Sequence, residues 1–331
     1  MMPQAPVLCW PALANPLPAR QDLPAAPSAR PAGRHAVAIG QALLVTFLWS
    51  TSWVLIKIGL EDLHLGPVSF AGLRYALAAV ILLPFGIRAL RRGRGPISRR
   101  LAIQVAVYGL LFVAVAQGAQ FAALALLPAT AVSLVLSATP LAVAGIALAR
   151  REEQPTPLQL AGVALLVAGA LAYFGLFALP PERAAGLVFA LVCLTAAAIS
   201  AHIGRGLARD AIARMGGPLG LTATSMVAGA VVLLAVGIAA EGWPTLDVRA
   251  WAIIGWLAAV NTAFAFTLWN HTLRTLTAVE SSVVNNTMTI QIAILAVIFL
   301  GERLAPLQVA GLVLAATGAA VVQLAPILGR R

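Results

Sequence analysis

The chain carries a second copy of part of itself, displaced by 149 residues. The stretch from Leu124 to Ala170 lies over Leu273 to Ala319 without a gap, and 16 of its 47 positions are identical. Some of these matches come cheaply in an Ala/Leu/Val-rich chain. The set Glu153, Pro157, Leu158, Gln159, Ala161, Gly162 and Gly169 against Glu302, Pro306, Leu307, Gln308, Ala310, Gly311 and Gly318 does not. A repeat of this length and spacing restricts the fold to two like halves.

The solvent of those halves follows from composition. Hydrophobic residues make up 61% and charged residues 10% of the chain, and the mean hydropathy is +0.93. Soluble domains carry roughly a quarter charged residues, so lipid is the partner this composition suits. The net charge of +11 does not imply nucleic acid, because the arginines fall in short gaps between apolar runs and form no contiguous basic face. Cys9 and Cys193 give neither a metal spacing nor a disulfide framework, and no cofactor is expected. Residues 1–35 hold eight prolines and lack the basic start of a signal peptide. They read as a disordered cytoplasmic tail.

Apolar stretches long enough to cross ~30 Å of hydrocarbon fall at 37–60, 67–87, 101–124, 129–149, 157–178, 185–205, 216–240, 250–272, 278–300 and 306–327. Glycine, proline or charge marks each break, as at Gly66-Pro67, Pro180-Pro181 and Gly216-Gly217-Pro218. Strand alternation is absent, so the expected fold is all-α, a polytopic bundle of ten transmembrane helices. With the N-terminus cytoplasmic, 17 arginines lie on the inner side: Arg20, Arg30, Arg34, Arg88, Arg91, Arg92, Arg94, Arg99, Arg100, Arg150, Arg151, Arg205, Arg209, Arg214, Arg274, Arg330 and Arg331. Only Arg183, Arg249 and Arg303 lie outside. That bias places both termini in the cytoplasm. Five spans per half make the second half enter from the opposite side. The halves, 36–180 and 181–331, are then two inverted five-helix repeats, with substrate expected near the midplane between them.

Particular stretches carry a resemblance. TFLWSTSWVLIKIGL at 46–60, PVSFAGLRYALAAVILLP at 67–84 and FLGERLAPLQVAGLVLAATGA at 299–319 resemble the first helix, the second helix and the end-of-repeat signature of the EamA-type drug/metabolite transporters. The likeness runs over roughly residues 38–325. It implies an inner-membrane carrier of small metabolites, often amino acids or related compounds. Two departures stand out. The glycine of the signature is Glu152 in the first half, and Pro140 of the first half is Thr289 in the second.

Several side chains could carry the work. Arg74 lies seven residues past Pro67, about 10 Å into its span at 1.5 Å per residue. A charge at that depth faces the bundle interior. It either binds a substrate carboxylate or counter-ion, or it anchors the fold on backbone carbonyls or an acid. Trp49, Ser52, Trp53 and Lys57 share one helical face and suit a cavity wall. Lys57 could equally snorkel, or pair with Glu61 one turn on. Glu280 is the one acid inside an expected span. It is a candidate for proton coupling, if burial raises its pKa, or else a first-turn residue that favours the helix N-terminus. Asn285, Asn286, Thr287, Thr289 and Gln291 make the ninth helix polar at its middle. Asn261 with Trp269, and Gln117 with Gln120, share faces on the eighth and third. All are candidates for a substrate cavity or for hydrogen bonds between helices. The Gly162/Gly169 and Gly311/Gly318 pairs allow close helix approach, within the bundle or across a homodimer seam.

The expected function is a secondary active transporter of small polar metabolites, an exporter of amino acids or related compounds in a bacterial inner membrane. The rival readings are a passive channel and a polytopic membrane enzyme. The four aspartates, Asp22, Asp62, Asp210 and Asp247, are scattered outside the spans, which speaks against enzyme chemistry. The lack of a GxxxxGK loop leaves a gradient as the energy source, protons by default.

Overall fold

The computed structural model describes residues 32–328, apart from 94, 150–155, 175–180, 208 and 274. Most of the proline-rich tail, Arg150, Arg151, Arg274 and Glu153 therefore lie outside the described residues. Ten helices are long and apolar enough to cross a membrane: His35–Glu61, Pro67–Arg91, Arg99–Leu126, Ala129–Ile146, Pro157–Phe174, Arg183–Gly204, Pro218–Glu241, Val248–Thr272, Val283–Leu300 and Pro306–Ala325. They are called the first to tenth spans. The near face is the one where the first span begins, at His35, and the far face is the one where it ends, at Glu61.

The 149-residue displacement recurs in the starts of three pairs of helices. Helices begin at Arg99 and Val248, at Ala129 and Ala278, and at Pro157 and Pro306. Their caps correspond too. Ser98 accepts from Leu101 N at 3.2 Å, and Asp247 from Ala250 N at 2.7 Å. The repeated Pro-Leu-Gln has a direct reading. Proline opens the helix where its missing N–H costs nothing. Gln159 reaches back to accept from Thr156 N at 2.8 Å, and Gln308 from Ala305 N at 2.9 Å.

Five crossings per half invert the second copy, and the packing shows the resulting two-fold pseudo-symmetry. Second packs on seventh and fifth on tenth, pairs that map onto themselves when the halves are exchanged. First packs on ninth as fourth packs on sixth, and third on sixth as eighth on first. Small residues allow the self-paired crossings. A Cβ on Gly169 would stand 2.5 Å from Ala315 N and Gly311 O, and one on Gly318 would stand 2.5 Å from Leu166 N. The four repeated glycines are thus spent on the fifth–tenth crossing inside the bundle. Gly169→Leu should prevent proper assembly, because backbone on the facing helix cannot yield as a side-chain tip does. Overpacking costs about 1–3 kcal/mol even where side chains can adjust. The check is the monodisperse yield and thermal midpoint in detergent. Gly255→Ala, which meets nothing within 4 Å, should match the parent protein.

The fourth and ninth spans break the symmetry, at Pro140 and Thr289. The ninth is continuous from Ala278 to Leu300. The fourth is two helices, Ala129–Leu136 and Thr139–Ala149. Pro140 has no N–H to give the carbonyl of Leu136. The Thr139 hydroxyl donates to that carbonyl instead, at 2.6 Å.

Candidate functional site

A cavity lies between the halves. First, second, third and fourth spans wall it on one side, and sixth, eighth and ninth on the other. It offers about 190 Å³ to the centres of water molecules, room for roughly a dozen water-sized groups. Its lining reaches Ala201 and Trp269, each within one turn of its span's near-face end at Gly204 or Thr272.

Arg74 is the one charged residue among the described residues of that lining. It is 4% exposed, and its surroundings explain how a guanidinium is held there. Its Cζ lies 5.1 Å from the centroid of the Tyr75 ring and 5.9 Å from that of Phe121. Its Nε donates to the Thr262 hydroxyl at 3.1 Å. Thr262 is aimed by a local irregularity. The eighth span winds as a π-helix over Ala259–Phe264. Within that wide turn, the Thr262 hydroxyl donates to the carbonyl of Leu257, five residues back, at 2.8 Å. The third span has a π-helix over Leu110–Val115, at the equivalent place in the other repeat. Wide turns of this kind concentrate at functional sites. No aspartate or glutamate is found among the described lining residues.

Of the candidate residues, Trp49, Trp53, Arg74, Gln117, Gln120, Trp269, Asn285 and Asn286 meet at this cavity. Trp49 lies against Phe266 and Trp269, at 5.4 and 5.3 Å between ring centroids. Its buried indole N–H has no hydrogen-bond partner among the described residues. Tyr75 donates to Gln117 Oε1 at 2.7 Å, which leaves the Gln117 amide N–H groups for the cavity. Asn286 and Gln323 exchange two hydrogen bonds, at 3.1 and 3.0 Å, tying the ninth span to the tenth.

Five candidates do not line the cavity: Lys57, Asn261, Thr287, Gln291 and Glu280. Lys57 turns toward the far face, where its ammonium donates to Leu124 O at 2.9 Å and pairs with Glu61. Asn261 donates to Leu48 O and to Thr51 Oγ1, joining the eighth span to the first. Gln291 accepts from Ser50 at 2.9 Å and donates to Thr287 at 3.0 Å, joining the ninth to the first. For both amides the position is explained by hydrogen bonding between helices.

Glu280 stands in the first turn of the ninth helix, Ala278–Leu300, at its near-face end, and forms a capping box with Thr277. Its other oxygen takes the imidazole of His35, at 2.9 Å. Partial burial works to raise its pKa, but the Thr277 hydrogen bonds and His35 outweigh that and hold it below the ordinary value. A carboxyl held down in this way keeps its charge at neutral pH, contrary to what a proton carrier needs. Its contribution to stability is present above the ordinary carboxylate pKa and fades as pH falls through the lowered one. Accordingly, the stability difference between the parent protein and Glu280→Gln should shrink on acidification below pH ~4.5, read from thermal midpoints.

The residues missed by sequence reading fall into two kinds. Tyr75, Tyr108, Phe112 and Phe266 are aromatic wall. Phe266 stands one turn before Trp269, a signal that could have been used. Ser133, Ser137, Thr139 and Ser200 are hydroxyls that each donate to a carbonyl three residues earlier, at 2.9, 2.6, 2.6 and 2.9 Å. Self-bonded hydroxyls look like ordinary interior of a membrane helix, so nothing in the sequence marks them.

On the far face the walls are knit together. Glu302 accepts from Ala129 N at 2.6 Å and from the Thr130 hydroxyl at 2.7 Å, and that hydroxyl meets Tyr173 OH at 2.5 Å. Glu241 does the same for the start of the second span, accepting from Val68 N at 3.0 Å and Ser69 N at 2.8 Å. Each carboxylate caps a helix N-terminus in the other half, where exposed N–H groups favour negative charge.

Comparison with known proteins agrees with this architecture. A crystal structure superposes with a TM-score of 0.60 at 20% identity, over 90% of this chain and 98% of that one, a likeness of fold. A protein of Salmonella typhimurium described as a "Probable amino-acid metabolite efflux pump" is 33% identical over 135 residues. The match covers 39% of this chain and 40% of that protein's length. The EamA-like transporter family matches twice, at residues 36–175 and 184–324, one match for each repeat. The chain is a multi-pass membrane protein that belongs to the EamA-like transporter family.

Proposed function

We propose that the protein is a secondary active transporter that exports small carboxylate-bearing metabolites, amino acids or related compounds, from the cytoplasm. The observation that carries this reading is Arg74, a buried cation without an acidic partner among the described residues, in a cavity between two inverted repeats. A guanidinium stays charged and is costly at membrane depth, so an anionic passenger would relieve it. The name of the Salmonella relative supports the class of passenger. The arginines of the near face, Arg88, Arg91, Arg92, Arg99, Arg100 and Arg214 among those described, support a cytoplasmic near face. The described conformation, with its far face knit together, is then the one that loads from inside. Rocking of the halves about the fifth–tenth and second–seventh crossings would open the other side. A gradient supplies the energy.

The test is counterflow in liposomes. Vesicles holding unlabelled amino acids and related acids should take up the labelled compound faster than empty ones, with saturation. Linear flux without stimulation from the far side would instead identify a channel.

A further inference from the structure

The inference concerns the charge type of the passenger and rests on the transporter reading above. Among the described residues the cavity lining contains one formal charge, Arg74, and no acid. Its unengaged donors include the terminal nitrogens of Arg74, which make no hydrogen bond to described residues, the indole N–H of Trp49 and the amides of Gln117, Gln120 and Asn285. The walls beyond them are apolar and aromatic, among them Trp53, Tyr108, Phe112, Phe266 and Ile292. A monocarboxylate would bring the loaded cavity to zero net charge. A zwitterion would satisfy the guanidinium yet leave one positive charge in a low-dielectric site, and an amine would leave two. The acceptors left for an ammonium include the hydroxyls of Ser52, Ser133, Ser137, Thr139 and Ser200, whose protons go to helix carbonyls. Such neutral oxygens can bond an ammonium but cannot neutralise it.

We infer that the cavity selects monoanionic carboxylic acids with a compact apolar body, compounds related to amino acids but lacking the free ammonium group. The same charge count gives the order monocarboxylate, then amino acid, then amine.

Four probes with one branched aliphatic body separate the cases: 4-methylpentanoate, 4-methyl-2-oxopentanoate, leucine and 3-methylbutylamine. Titration calorimetry of the purified protein in detergent reads their Kd values at pH 7. The two acids should bind about 10-fold or more tightly than leucine, because the leftover charge acts at close range in a poorly solvated site. The amine should show no binding, and Arg74→Gln should lose the acids. If leucine binds as tightly as the acids and Arg74→Gln loses all three, the inference fails while the carboxylate reading stands. If the amine binds as well as the acids, or Arg74→Gln leaves the acids unaffected, both fail. Binding of none of the four overturns the inference, since it specifies both the charge and the body.

Discussion

Arg74→Gln should abolish carboxylate transport while leaving the fold at least as stable as before. Two charge-assisted hydrogen bonds from a guanidinium fork are each worth about 1.5–3 kcal/mol. Removing both should lower the apparent affinity by roughly 10²-fold or more. The stability half of the prediction separates a binding role from an anchoring one. Arg74 is held by a hydroxyl and two ring faces, with no described counter-charge. Replacing an unneutralised buried cation with a neutral amide removes a cost. The thermal midpoint in detergent should therefore stay or rise. A fall of several degrees together with lost transport would show Arg74 to be a structural anchor. Arg74→Lys should recover little, because a point charge cannot present a planar fork or stack between Tyr75 and Phe121.

The second large effect is expected at the far face. Glu302→Ala removes the carboxylate that caps Ala129 and Thr130 and holds Thr130 beside Tyr173. The closed far face should lose about 2–3 kcal/mol, an increase on the order of 30- to 100-fold in the population open on that side. The readout is a cysteine at Leu127, a position 2% exposed, in a background with Cys9 and Cys193 replaced by serine. A membrane-impermeant thiol reagent should modify it much faster in the Glu302→Ala protein. Glu302→Gln, which keeps acceptors but no charge, should fall between. Equal rates in all three proteins would show that this cluster does not hold the face shut.

Much of the fold was legible in the sequence because a membrane leaves few choices. The spans follow from apolar length, and their pairing into halves follows from the repeat. The break in the fourth span falls where Pro140 stands against Thr289 of the other half. The site was legible only in part. Arg74 announced itself by its cost in lipid. Lys57 shares a stripe with Trp49 and Trp53, but its four-carbon stem carries the ammonium to Leu124 O and Glu61. Periodicity fixes the direction of a Cβ, not the reach of a long side chain. Asn261 and Gln291 read equally as cavity wall or as bonds between helices, because the same polarity serves both. The π-helices left no trace. LLFVAV and AVNTAF match only at Ala114 and Ala263. The widening is set by tertiary packing, which no local propensity records.

Those two wide turns have a consequence for how the halves can move. A π-turn is an α-helix holding one surplus residue, a dislocation in an otherwise regular lattice of hydrogen bonds. A dislocation can glide. Shifting it by one residue exchanges neighbouring bonds one at a time, never breaking the ladder outright. The side chain it passes turns by about 100°, the angle one residue subtends in a helix. In the eighth span, glide past Thr262 would carry its hydroxyl away from Arg74 and free the guanidinium. In the third, it would swing Phe112 out of the cavity wall. The two repeats thus hold matched defects, one beside the polar contact of Thr262 with Arg74 and the other carrying Phe112 of the cavity wall.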